Sequence, residues 1–253
     1  MTKELSTIVY PWIARMARGN ELRFSLRSVE LNFAPPVEVW LVGDMPEWYA
    51  GNFLPCPVYD ETLCLPRQDR AKKLAAVIDE PRIAETFLWM MDDIYFVRPI
   101  TLAQLRLPWI CGEMQPQRLD DWKPAREWTR QKKLTWQALR DNGKPLFDFS
   151  THLPYVYEKS KLKILYQKYG LPDSPYIDDI LYMNEFQPFT QEPQDSKTIL
   201  YRETRRPSAE ILRRRLKQEG IQVFNHVDRS FSPEVEQVLI ELFPLPCQWE
   251  KTK

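Results

Sequence analysis

Two adjacent aspartates, Asp92 and Asp93, interrupt an otherwise apolar run over residues 87–97 (Phe-Leu-Trp-Met-Met-Asp-Asp-Ile-Tyr-Phe-Val), and no lysine or arginine lies within it. Carboxylates among apolar neighbours are costly unless they are paired or bind a cation, so the pair predicts a divalent metal site. Oxygen ligands suit Mg and Mn alike. Neighbours on a strand point to opposite faces, so one aspartate is expected to ligate while the other bonds ribose, water or an arginine. The competing expectation is a structural ion pair. His152 is one of only two histidines; imidazole titrates near neutral pH and suits a general base, with a structural histidine as the alternative. Asp178 and Asp179 form a second acidic pair that could orient an acceptor or activate its hydroxyl, or cap a helix. Arg23 and Arg27, one helical turn apart, are candidates for a diphosphate or for the aspartates, against a solvated helix face. Lys72, beside Lys73 in a presumed first helical turn where the dipole disfavours cations, hints at a bound anion. Asp44 could accept from a base or ribose, or stand in an ordinary turn.

The elements that must position these groups alternate in the first half. Thr7-Ile-Val-Tyr10 predicts a strand stopped by Pro11. Asn20 can cap a helix carrying Leu22, Leu26, Val29 and Phe33 to the Pro35-Pro36 break. Residues 37–42 predict a buried strand with Asp44 just beyond its carboxyl end, where open α/β sheets collect ligands. A weaker extended segment covers 54–59, Asp69 caps a helix with Leu74, Ala75 and Ile78, and 87–91 is the strand delivering the aspartate pair. This is βαβ logic. Residues 107–146 carry Trp109, Trp122, Trp128 and Trp136 among charges, which suggests an inserted lobe. Beyond it, 147–157 reads as extended and 159–169 as helical; 208–217 is a helix with a serine cap, 221–224 a strand and 233–243 a closing helix. The tryptophans, Trp12 and Trp48 included, could stack on sugar or base rings, though most are expected to pack the core.

Composition narrows the classes. The chain has 253 residues, 43% hydrophobic and 13% aromatic, enough to fill a core. Lys plus Arg and Asp plus Glu are 35 each, which excludes the global positive field of a general nucleic-acid binder. One local basic cluster stands out: Arg202, Arg205, Arg206, Arg213, Arg214, Arg215 and Lys217, either a receiver of nucleic acid or anionic lipid or a solvated face. Cys56, Cys64, Cys111 and Cys247 are scattered and suggest neither zinc nor a disulfide framework. No apolar stretch approaches membrane-spanning length and no signal core opens the chain, so a cytoplasmic protein is expected.

Ile8-Val-Tyr-Pro-Trp12, Asn20-Glu-Leu-Arg-Phe-Ser-Leu-Arg-Ser28 with Val39-Trp-Leu-Val-Gly-Asp44, Met91-Asp-Asp93, Phe149-Ser-Thr-His-Leu-Pro154 and, more weakly, Phe224-Asn-His-Val-Asp228 together resemble, in order and spacing, the conserved blocks of the Stealth family of sugar-phosphate transferases and related phage and bacterial proteins. The resemblance implies a glycosyltransferase-A-like α/β fold with a mixed, mainly parallel sheet flanked by helices. It implies one domain over 1–253, with a nucleotide-sugar-binding half at 1–106, the inserted Trp-rich lobe at 107–146 and an acceptor or catalytic half at 147–253. It also places His152 at the active site. Sugar-phosphate-transferring members carry an aspartate shortly after the tryptophan of the first block, whereas this chain has Ile13-Ala14-Arg15. The expectation is therefore metal-dependent glycosyl transfer from a nucleotide-sugar donor to a polysaccharide or a modified base in phage DNA. Hexose-1-phosphate transfer and a non-catalytic binding role on a degenerate core are the alternatives.

Overall fold

The computed structural model describes residues 6–34, 36–58, 66–115, 127–186 and 192–251. Pro35, Tyr59, Cys64 and Trp122 lie outside them. In chain order the elements are β1 (Ser6–Trp12), α1 (Glu21–Asn32), β2 (Phe33–Ala34), β3 (Val37–Gly43), β4 (Asn52–Pro55), α2 (Pro66–Asp79), β5 (Thr86–Trp89), β6 (Ile94–Phe96), β7 (Ile100–Thr101), α3 (Leu102–Leu105), β8 (Trp109–Ile110), α4 (Glu127–Asp141), β9 (Tyr155–Glu158), α5 (Lys159–Tyr169), α6 (Asp178–Phe186), β10 (Gln194–Asp195), β11 (Leu200–Glu203), α7 (Ala209–Leu216), β12 (Val223–His226) and α8 (Pro233–Leu242).

Ile8, Val9 and Tyr10 of β1 are wholly buried on both faces, the mark of a strand covered by helices on each side. β1 is the centre of a five-stranded sheet ordered β4-β3-β1-β5-β9. β4, β3, β1 and β5 run parallel to one another, and only β9, beside β5, is antiparallel. The fold is thus mixed α/β with a mainly parallel sheet flanked by helices. A second sheet, β11-β12-β6, carries the chain onward from the aspartate pair, with β11 and β12 parallel and β6 antiparallel.

Pro11 does not stop β1. The ladder to β5 already ends at Val9, paired with Trp89, so the missing proline N–H removes no bond on that side, and β1 continues to Trp12 beside Gly43 of β3. The two strands approach so closely here that Gly43 is required. Its φ is +122°, and a Cβ would lie 2.2 Å from the Trp12 carbonyl oxygen and 2.5 Å from the Lys73 Cε. Gly43→Ala is expected to cost more than about 2 kcal/mol, read as a lower denaturation midpoint at unchanged slope.

α1 buries Leu22, Leu26 and Val29, as its periodicity requires. Asn20 precedes it without a side-chain cap and instead donates to Glu236 at 3.1 Å. α2 starts at Pro66, a favoured first-turn residue, and not after Asp69. Lys72 and Lys73 are consequently in the body of the helix, and the dipole argument for an anion at Lys72 lapses. Lys73 is wholly buried and pairs with Asp69 one turn earlier. Between 127 and 141, α4 puts Trp136 and Leu139 into the same apolar core as Phe87, Trp89 and Ile180. Among the described residues no helix is long and apolar enough to cross a membrane.

Candidate functional site

Because β1, β3 and β5 are parallel, their carboxyl ends share one edge, and the chain leaves that edge at Trp12, at Asp44 and, after β5, at Asp92 and Asp93. β9 runs the other way with Tyr155 beside Trp89, so the loop before it brings His152 to the same edge. The topology therefore gathers Asp44, the aspartate pair and His152, which lie far apart in sequence.

The pair does not sit on a strand. β5 ends at Trp89, and Asp92 and Asp93 occupy a tight turn closed by the Ile94 N–H donating to the Met91 carbonyl at 3.3 Å. The alternation expected of strand neighbours does not apply there, so nothing in the backbone forces the two carboxylates to opposite faces. Both side chains keep some solvent contact, but desolvation dominates them. It raises the Asp92 carboxyl to about 6, with a further push from Asp228. It raises Asp93 to about 7, helped by Asp92, while Asn225 and Arg202 pull the value down. Asp93 Oδ1 is buried without a hydrogen-bond partner. Such an atom fits a group that arrives from outside.

Sequence reasoning missed several members of this site. β11, β12 and β6 align Arg202 with Asn225 and Asn225 with Ile94, the residue after Asp93. Asn225 donates its amide to the Asp93 backbone carbonyl at 3.0 Å. Arg202 read as part of a basic cluster; the pairing of β11 with β12, and of β12 with β6, is what sets it apart. Burial lowers its guanidinium, and Asp93 partly restores it. Glu21, first residue of α1, is pushed up to about 8 by burial and then by Asp92, with Asp93 and Asp228 adding to it. His226 Nε2 meets the Tyr95 hydroxyl at 2.9 Å and lies 3.6 Å from Glu21 Oε1. Burial lowers that imidazole to about 4, so a neutral histidine faces a protonated Glu21 near pH 7 and the contact is not an ion pair.

His152 has φ of +57°, the one non-glycine residue in the left-handed region among those described. Such strain clusters at functional sites. Burial lowers its imidazole to about 4, and the nearby Arg202 guanidinium adds to the effect.

The remaining sequence candidates are placed differently. Arg23 and Arg27 both bind Glu250, Arg23 at 2.6 Å and Arg27 through two nitrogens at 2.6 and 2.9 Å, and Arg27 also donates to the Phe243 carbonyl at 3.0 Å. Arg23 lies over the Trp48 ring at 4.2 Å. They fasten the C-terminal segment to α1. Asp44 reaches the right edge but accepts the Ala14 N–H at 2.8 Å, tying down the loop after β1. Asp178 and Asp179 open α6 and are buried, held by Arg70 of α2, which pairs with Asp178 and reaches Asp179 at 3.1 Å. Burial pushes the Asp178 carboxyl up even with Arg70 opposite it. Arg70→Met is expected to strip two buried carboxylates of their direct ion pair, with Arg67 the cation left nearby, and to cost about 3 kcal/mol, measured by urea unfolding.

Among the described residues no three of His, Cys, Asp and Glu form a ready-made metal cage. Mg and Mn need none, since they are commonly held by one or two carboxylates with substrate phosphates and waters completing the shell. The partnerless Asp93 Oδ1 and the raised carboxyls of Asp92 and Asp93 fit that arrangement.

No family model matches the chain, and no curated protein matches it in sequence. Solved structures with a similar arrangement include the glycosyltransferase GlyE of Streptococcus pneumoniae TIGR4, with 9% identity and a TM-score of 0.41 over 96% of this chain and 61% of that one. The chain therefore spans about three-fifths of the length of GlyE. An active-site mutant of LgtC gives 11% identity and a TM-score of 0.48 over 93% of this chain and 94% of that one. Mouse xyloside xylosyltransferase 1 gives 11% and 0.42 over 90% and 100%. At such identities they say nothing of what this chain acts on.

Proposed function

We propose that the chain is a glycosyltransferase that takes a sugar from a nucleotide-sugar donor and passes it to a hydroxyl of a polysaccharide or a modified base. The observation that carries this reading is the meeting, at one sheet edge, of two half-buried carboxylates, one with a partnerless oxygen, and a strained histidine, with Arg202 close to both. Asp92 and Asp93 would hold Mg or Mn, which supplies charge neutralisation to a donor diphosphate. Asn225 keeps the aspartate turn in place through the Asp93 carbonyl. His152 Nδ1 or Nε2 takes the proton from the acceptor hydroxyl as its oxygen bonds the anomeric carbon; the bond from that carbon to the diphosphate oxygen breaks, and the nucleoside diphosphate leaves with the electron pair. Arg202 is suited to the negative charge that gathers on the leaving diphosphate. The buried Arg70 cluster makes Asp178 and Asp179 supports for the region behind His152 in this scheme. The Stealth-like motifs agree with the glycosyl reading, and a cytoplasmic setting goes with it.

The test is calorimetric titration of UDP, GDP, CDP and their common sugar conjugates, with Mn and then with chelator. Binding of one nucleotide that vanishes with chelator is expected. Binding of none, or binding indifferent to chelator, would overturn the donor assignment.

A further inference from the structure

Five exposed arginines border the candidate site on one rim. β11 and β12 are parallel, with Glu203 beside His226, so the segments that follow them leave at the same edge. Arg205 and Arg206 follow β11, Arg229 follows β12, and Arg206 Nε donates to the Arg229 carbonyl at 3.2 Å, joining the two segments. Arg18, in the loop after β1, reaches Asp228 at 3.8 Å, with both side chains more than half exposed. Arg202 stands one step inward, next to Asn225 and Asp93. Among the described residues, exposed Asp228 and Glu234 stand beside these arginines, Glu234 near Arg206, and half-buried Glu236 accepts from Asn20 close to Arg18. A protein of zero formal net charge thus concentrates positive charge around the mouth of one site.

All five cations are arginine, whose planar fork matches phosphate oxygens better than the point charge of lysine. Every aromatic side chain among the described residues is buried or half-buried. Single-stranded nucleic acid is gripped by exposed rings that stack on its bases, and sugars likewise pack their C–H faces on exposed rings. A duplex keeps its bases stacked inside and can be held through its phosphates without any stacking ring. We propose that this rim docks the phosphodiester backbone of duplex DNA. On the transferase reading above, the duplex carries the acceptor hydroxyl; the docking itself stands on the rim.

The probe is a fluorescein-labelled DNA duplex of about 20 base pairs, followed by anisotropy between about 50 and 200 mM KCl. About four phosphate contacts would weaken binding roughly 100-fold over that range. The triple variant R205Q/R206Q/R229Q is expected to lower the salt slope by about 3, whereas R213Q, whose side chain is taken by Glu241 at 2.7 Å, leaves it unchanged. Absence of duplex binding at low salt, equal slopes in parent and triple variant, or tighter binding of single-stranded DNA or of polygalacturonate than of the duplex would overturn the proposal. Nucleotide titration on the same variants separates the two ideas. Donor binding without duplex binding removes only the docking surface; duplex binding without donor binding removes only the transferase reading.

Discussion

Asp93→Asn is expected to raise the melting temperature at pH 8 and, in the same protein, to abolish stabilisation by Mn. The sign follows from the direction of the shift. Burial, then Asp92, raises the Asp93 carboxyl to about 7, above its usual value in an unfolded chain. A group raised in the folded state adds stability at pH below its unfolded value, and that stability is lost as pH rises through the folded value. By pH 8 Asp93 is ionised next to Asp92, with Asp228 and Glu21 close by, and the folded state carries the repulsion. Removing one charge should return on the order of 2 kcal/mol after allowance for the solvent each carboxylate still touches, or roughly 4–8 °C in a chain of this size. Mn should raise the parent's melting temperature at pH 8 and hardly at pH 5, where protons occupy the same oxygens. Scanning calorimetry of both proteins at the two pH values checks this. A lower melting temperature for Asp93→Asn at pH 8, or equal Mn effects in both proteins, would sink the idea of a cation site built from strained like charges.

The sequence made the first sheet legible because hydrophobic content and topology coincide there. Strands 6–12, 37–43 and 86–89 each carry an apolar core (Ile8-Val-Tyr10, Val39-Trp-Leu-Val42 and Phe87-Leu-Trp89), and aspartates follow the second and third closely, so the edge holding Asp44 and the aspartate pair could be anticipated from pattern alone. The second sheet was not legible. β11 is four residues of mixed character, Leu-Tyr-Arg-Glu, that pair with β12 (Leu200 beside Val223), and β12 in turn pairs with β6 (Val223 beside Phe96), far back in the chain. That pairing is what separates Arg202 from the other arginines of its cluster and brings Asn225 to Asp93. Arg23 and Arg27 mislead for the same reason: their spacing is right for a ligand clamp, but their partner, Glu250, is at the far end of the chain. Local pattern tells which side chains share a helix face. It does not tell what docks on that face.

His152→Asn and His152→Gly are both expected to cut kcat by about 10²–10⁴ while leaving nucleotide affinity unchanged. These replacements are chosen for the backbone. At φ of +57° an alanine would add left-handed strain, whereas glycine relieves it and asparagine tolerates it, so loss of activity cannot be charged to misfolding. Melting temperature should hold or rise for the glycine variant. The imidazole also predicts a pH signature. Burial, with Arg202 next in effect, lowers it to about 4, so with Mn saturating the aspartates His152 remains a neutral proton acceptor well below pH 6. The acid limb of kcat/KM should then fall near pH 4 and not near 6.5. Arg202→Gln removes a charge that disfavours imidazolium, which moves that limb upward. A merely structural histidine would move stability and leave the limb in place; transfer at parental rate in both His152 variants would put the base elsewhere. His226, also lowered to about 4, is enclosed by Tyr95, Phe224 and Phe231 and bonds Tyr95, so its replacement should tell in stability first. The two histidines share a direction of shift and differ in what surrounds them: one is strained and close to Arg202 at the aspartate edge, the other is packed among rings.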